Sequence, residues 1–330
     1  MSKKILITGG AGFIGSHLVD ELLTKGHSVT ALDNLRNGSR ENLVNALPHR
    51  NFSFIEGDIL DMAVCESALQ GIDVVYHLAC LGVRHSLHSP VENHEVNATG
   101  TLNILEAARI SRVPRFFYIS TSEVYGKTEN FPIIESNIPK PTTVYGSSKL
   151  AGEHYTQSYN EAYEMDTTVL RIFNNYGPRA HYEGDSGEVI PRTIVNTLYG
   201  KPPVIFGDGS ITRDFFYVQD TARILTELMA HKNLSTGPYN LGTGVEITIK
   251  SLIEQVLTLM PGHQVEIEYL EDRPADVPRL WVDSSKLRSI VDFKNEFSFE
   301  DGLKNTIAFY TELVKGKDLT AEIPVQNWTK

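Results

Sequence analysis

Lys3-Lys4-Ile5-Leu6-Ile7-Thr8-Gly9-Gly10-Ala11-Gly12-Phe13-Ile14-Gly15-Ser16-His17-Leu18 sets a short apolar run before a glycine cluster and the start of an amphipathic segment. That order predicts a buried strand, a tight turn and a helix. Gly10, Gly12 and Gly15 fit a G-x-G-x-x-G spacing. In that pattern the first glycine permits the turn, the second lets backbone approach a pyrophosphate, and the third lets helix and strand pack closely. The helix N-terminus then faces the phosphates. A second apolar run, His27-Ser28-Val29-Thr30-Ala31-Leu32, ends in Asp33-Asn34. Asp33 lies near the spacing of roughly 20 residues at which an acid meets the ribose hydroxyls of a bound dinucleotide. A carboxylate there repels a 2′-phosphate, which favours NAD over NADP. The competing reading of Asp33 is a turn former before Asn34.

The composition suits a folded chain with a substantial core. There are 330 residues, of which 41% are hydrophobic and 22% charged. A formal net charge of -11 argues against a nucleic-acid backbone binder, because that affinity rests on clustered Lys and Arg. Cys65 and Cys80 are the only cysteines, with no C-x-x-C pattern, so neither a disulfide framework nor a zinc site is expected. His85, His88 and His94 read as polar loop groups rather than metal ligands, and no metal is expected. Glycines interrupt the N-terminal apolar run, and no apolar stretch of about 20 residues follows. The expectation is a cytoplasmic protein with no membrane partner.

Further strands are expected at Phe52–Ile59, Asp73–Cys80, Arg115–Thr121 and Thr167–Phe173, separated by helical patterns such as Asn97–Arg109. This alternation predicts an α/β fold, a Rossmann-type doubly wound parallel sheet. Leu81–Pro90 is expected as a loop on the ligand-binding edge. Asp58, at the end of its strand, suits either an adenine amino group or a turn. Past Tyr176-Gly177-Pro178-Arg179 the rhythm changes, which predicts a smaller interleaved α/β substrate-binding lobe. The expected division is 1–178 plus about 212–245 for the dinucleotide domain, and about 179–211 plus 246–330 for the lobe. The chain is expected to rejoin the sheet near Arg213–Val218.

Tyr145-Gly146-Ser147-Ser148-Lys149 places a phenol and an ammonium one helical turn apart on one face. A nearby cation favours phenolate, which makes Tyr145 a candidate base for an alcohol or sugar hydroxyl. Lys149 would also hold the nicotinamide ribose. The preceding strand delivers Thr121, Ser122 and Glu123 to the same edge as the glycine turn.

Taken together, these segments resemble the extended short-chain dehydrogenase/reductase superfamily, in its NAD-dependent sugar-nucleotide epimerase, dehydratase and decarboxylase branch. The resemblance rests on Gly9–Gly15, Asp33-Asn34, Asp58-Ile59, His77-Leu78-Ala79, Ser120–Gly126, Tyr145-x-x-x-Lys149, Arg171–Arg179 and Arg213-Asp214-Phe215. It implies tightly held NAD, reduced and reoxidised within one turnover, against Gly9, Gly12, Phe13, Ile14, Gly15, Asp33, Asn34, Asp58, Ile59, Leu78 and Ala79. It implies Thr121, Tyr145 and Lys149 as the catalytic core, with Ser122 and Glu123 beside them. A nucleoside-diphosphate sugar would be gripped by Arg84, Asn174, Arg179, Arg213 and Arg279. A homodimer through Asn97–Arg109 and Gly146–Tyr163 is also implied.

Glu123 separates the reactions within the branch. Oxidation at the sugar C4 acidifies the C5 proton, and a dehydratase needs a base there. The Thr-Ser-Glu order resembles hexose 4,6-dehydratases and, equally, UDP-glucuronate decarboxylases. Ser122 departs from the dTDP-glucose dehydratase pattern, which has an acid at that place. Leu81–Ser86 departs from the decarboxylases and looks closer to uronate or hexosamine 4-epimerases. The resulting order is 4,6-dehydratase, then 4-epimerase, then decarboxylase. Outside the branch, an inactive NAD-binding regulator would not need Thr121, Tyr145 and Lys149 together. A dehydrogenase that exchanges its cofactor freely would not need Glu123 or the arginine clamp.

Overall fold

Strand β1 (Lys4–Thr8) pairs on both sides, with β2 (Ser28–Asp33) and with β4 (Val74–His77), and so lies inside the main sheet. The computed structural model describes residues 2–231, 234–273 and 276–329. With β3 (Phe52–Glu56), β5 (Arg115–Thr121), β6 (Thr167–Ile172) and a last strand at Tyr239–Leu241, the sheet has seven strands. Their order is Tyr239–Leu241, β6, β5, β4, β1, β2, β3, and every pair is parallel. β4 and β6 are buried at every position, as expected when helices cover both faces. The order reverses between β1 and β4, which opens a crevice at the strands' C-terminal ends.

Helix α1 (Phe13–Thr24) lays Leu18, Val19 and Leu22 on one face of the sheet, beside Ile224, Leu225 and Leu228 of helix Val218–Leu228. The other face takes Cys65 and Ala68 of α2 (Met62–Ala68) and Ile104, Leu105, Ala107 and Ala108 of the long helix described below. Burial of each such large aliphatic side chain stabilises the fold by roughly 1.5–3 kcal/mol. The expected loop after β4 instead holds a helical turn, α3 (His85–His88). The long helix starts earlier than its apolar period suggests, as α4 (Pro90–His94) continued through a π-helical segment, Glu95–Thr99, into α5 (Gly100–Ile110). Asn93 and Asn97 explain the early start. Their amides donate to the Leu81 carbonyl at 3.1 and 2.9 Å, and Asn97 Oδ1 accepts from Leu81 N at 2.8 Å. Helix α6 (Val144–Tyr163) opens at Thr143, whose hydroxyl accepts from Gly146 N at 3.1 Å.

The return to the sheet comes later than expected. Phe215–Tyr217 pairs with Asn174–Tyr176 in a separate two-stranded ribbon, and Thr212–Arg213 pairs with Ile247–Thr248 and Arg279–Leu280. Among the described residues beyond β6, only Tyr239–Leu241 rejoins the main sheet. The aromatic run Phe215-Phe216-Tyr217 has the composition of a sheet strand, so the sequence pattern does not tell a ribbon from an eighth position. Ile194, Val195, Leu252, Val256, Leu303 and Tyr310 form the core of the lobe. No helix among the described residues is long and apolar enough to cross a membrane.

Candidate active site

A cavity of about 480 Å³ runs along the C-terminal ends of the central strands and under the lobe. Its wall brings together the expected cofactor residues Gly9, Gly12, Phe13, Ile14, Gly15, Asp33, Asn34, Asp58, Ile59, Leu78 and Ala79. Thr121, Ser122, Glu123, Tyr145, Lys149, Arg84, Asn174 and Arg213 line the same cavity. Arg179 and Arg279 are not in its wall. Arg179 pairs with Asp20 of α1 at 2.7 Å, and Arg279 is bidentate to Glu246 and lies over the Phe131 ring.

The glycine turn is shaped for close backbone approach. Its left-handed residue is Gly9, at φ +71°, rather than Gly10. Gly10 is required by packing, since a Cβ there would lie 2.5 Å from the Ala31 side chain. A Cβ on Gly15 would fall 2.1 Å from the Gly9 carbonyl, so α1 can sit this near the turn only with glycine at that point. Gly12 is the N-cap of α1 and no side chain caps the helix, leaving the first amides open to an anion. Asp33 accepts from Ala11 N at 2.9 Å and Leu35 N at 2.8 Å, which fixes its carboxylate at the cavity wall. Burial raises its pKa, against these amide bonds. Asp58 accepts from Asn34 Nδ2 and from Leu60 N, the turn arrangement. The cradle and the acid beyond it fit a dinucleotide.

Tyr145 is half-buried in the cavity wall, and desolvation there pushes the phenol's pKa well above the ordinary value while hydrogen bonding to Thr121 pulls it down. Lys149 is not among the groups that move it most. Lys149, 2% exposed, donates to the Ile119 carbonyl at 2.6 Å and stands over the Tyr118 ring. Burial lowers the lysine's own pKa. Beneath it, His77 joins Thr8 at 2.6 Å and Thr101 at 2.9 Å, and burial keeps that imidazole neutral.

Glu123 lies in the same wall and has neither an ion pair nor a side-chain hydrogen bond among the described residues. Burial raises its pKa most, with Arg213 and Arg84 pulling it down and Asp276 and Glu188 pushing it up. A half-buried carboxyl left unpaired in a cavity wall holds its proton into a higher pH range, which suits acid and base work.

Arginines occupy the lobe side. Arg84 donates to the backbone carbonyls of Asp185 at 2.8 Å and Gly187 at 2.7 Å and pairs with Glu188. Arg213 donates to Val277 O and pairs with Asp276 at 2.7 Å. Asn174 has a buried Oδ1 with no partner among the described residues. Two further wall residues, Arg192 and Arg273, were not anticipated from the sequence. Burial and mutual repulsion with Arg84 depress both pKa values to about 10. Arg192 falls inside an apolar helical run, and Arg273 lies in a charged segment, so neither stands out before folding. Gathered together, these cations can hold a polyanion.

The GDP-mannose 4,6 dehydratase family model matches residues 6–306. The chain belongs to that family. It is thus a member of the NAD-dependent sugar-nucleotide epimerase, dehydratase and decarboxylase branch. A putative UDP-glucose 4-epimerase of Methanocaldococcus jannaschii is 36% identical over 92% of this chain and 97% of its own. Among solved structures, the UDP-glucuronic acid 4-epimerase of Bacillus cereus, in complex with UDP-glucuronic acid and NAD, shares 33% identity at a TM-score of 0.88. The match covers 94% of this chain and 99% of that one. The dTDP-glucose 4,6-dehydratase DesIV of Streptomyces venezuelae, with NAD and TYD bound, shares 31% identity at a TM-score of 0.88. It is covered over 99% of its length and this chain over 96%.

Proposed function

We propose that this family member is an NAD-dependent 4,6-dehydratase of a nucleoside-diphosphate hexose. The observation that carries the proposal is Glu123, an unpaired carboxyl in the wall that also holds Thr121 and Tyr145. An epimerase that only removes and returns a hydride at C4 has no need of a second acid–base group. Bound NAD supplies hydride acceptance at C4 and hydride return at C6.

The remaining steps belong to the protein. Tyr145 takes the proton of the 4-hydroxyl, with Thr121 holding the same oxygen. The C4 ketone acidifies the C5 proton, which Glu123 removes. Because Ser122 supplies no carboxylic acid, Glu123 also returns that proton to the departing 6-hydroxyl, so water leaves and the C5–C6 bond becomes double; hydride return to C6 is then matched by a proton at C5, equal to the one Tyr145 took from the 4-hydroxyl, so both side chains end as they began. Arg84, Arg192, Arg213, Arg273 and Asn174 hold the diphosphate end.

A 4-epimerase is the second reading, favoured by similarity to the M. jannaschii and B. cereus proteins. Incubation with UDP-, GDP- and dTDP-hexoses, followed by mass spectrometry, separates the reactions. Loss of one water supports the dehydratase. An isomer of unchanged mass supports the epimerase, and loss of carbon dioxide from a uronate supports a decarboxylase.

A further inference from the structure

We propose that His85, His88 and Asp185 form a binding site for a divalent transition-metal ion that clips α3 to the lobe. His85 and His88 are three residues apart on one helical turn, so both face the same way. Asp185 arrives from the Gly184–Ser186 turn of the lobe. One ligand atom from each residue lies within 4.8 Å of the others. His88 Nε2 and Asp185 Oδ2 are already 2.9 Å apart, near the separation of about 3.3 Å that tetrahedral zinc imposes on its ligands.

The surroundings orient the ligands. His85 Nε2 lies 3.2 Å from Glu92 Oε2 and 3.3 Å from Arg36 Nη2. Arg36 can only donate to Nε2 and Glu92 can only accept from it, so the two contacts call for opposite tautomers; in the one where Glu92 accepts from Nε2–H, the other nitrogen carries the lone pair. That nitrogen, Nδ1, is buried and has no hydrogen-bond partner among the described residues, and His85 itself is 6% exposed. A carboxylate behind a histidine is the common arrangement around bound metals. His88 Nδ1 is held at 3.0 Å by Ser89 Oγ, which leaves Nε2 to face Asp185. Glu92 is paired with Arg36, and Arg84 is paired with Glu188, which leaves the Asp185 carboxylate to face the two imidazoles.

A bound ion would hold together the two segments that already meet through Arg84, which donates to the Asp185 and Gly187 carbonyls. The site needs no particular sugar reaction. It is tested on the full chain, stripped with chelator and dialysed, by titration with Co²⁺ read as visible d–d absorption and by displacement with Zn²⁺. The expected result is one equivalent bound per chain. His88→Ala and the near-isosteric Asp185→Asn should abolish the absorption, while Glu92→Gln should weaken affinity by about 10–100-fold. Circular dichroism checks that each variant is folded. Absence of stoichiometric uptake, or a spectrum unchanged in folded Asp185→Asn, overturns the proposal.

Discussion

The Lys149 ammonium donates to the Ile119 carbonyl at 2.6 Å, which anchors α6 to the end of β5 and places the charge in the cavity wall that also holds Tyr145. That bond fixes the cation at the sheet edge. Lys149→Met is expected to lose the NAD(H) that survives dialysis, read by absorbance after denaturation. Tyr145→Phe keeps the cofactor and lowers turnover by about 10²–10⁴-fold, because only the proton transfer is removed.

Glu123→Gln keeps the size of the side chain and removes its titration. It is expected to leave oxidation at C4 intact, seen as NADH absorbance on mixing with substrate, and to stall the later step so that no dehydrated product accumulates. Full turnover by this variant would remove Glu123 from the mechanism.

Glu153 and Arg171 form a buried ion pair, 2.6 Å apart and 1% and 4% exposed at their side chains, joining α6 to β6. Ser120 adds a second partner to the carboxylate. Glu153→Ala strands the guanidinium in the core, so urea unfolding should show a loss of about 3–5 kcal/mol. Replacing both partners with apolar residues should recover a large part of it.

His17 sits under the Pro178 carbonyl, 2.9 Å away, and burial followed by Arg179 lowers its pKa from 6.5 to about 4. The unfolded chain therefore takes up this proton first as pH falls. Its contribution is complete above the unfolded value and is lost between pH 6.5 and about 4, to the extent of about 3 kcal/mol. His17→Gln should flatten that part of the stability–pH curve. His77, also held neutral by burial, leaves a remaining slope in the same direction.

The glycine turn, Asp33 and the Tyr145–Lys149 spacing were legible because each is local. A strand, its turn and its helix are set by neighbours in the chain, and the i, i+4 pair by helix geometry. From them follow the parallel sheet, the edge that carries the site and most of its wall. What the chain order could not decide was which distant charges meet. Arg179 and Arg279 look like members of an anion clamp, yet Asp20 and Glu246 take them. Arg192 and Arg273 reach the cavity instead. The same holds for His85 and His88, unremarkable as loop residues until the lobe delivers Asp185 beside them. Side-chain partners far apart in sequence are selected by packing, since an ion pair or hydrogen bond in a buried wall depends on distances that only the closed tertiary structure fixes.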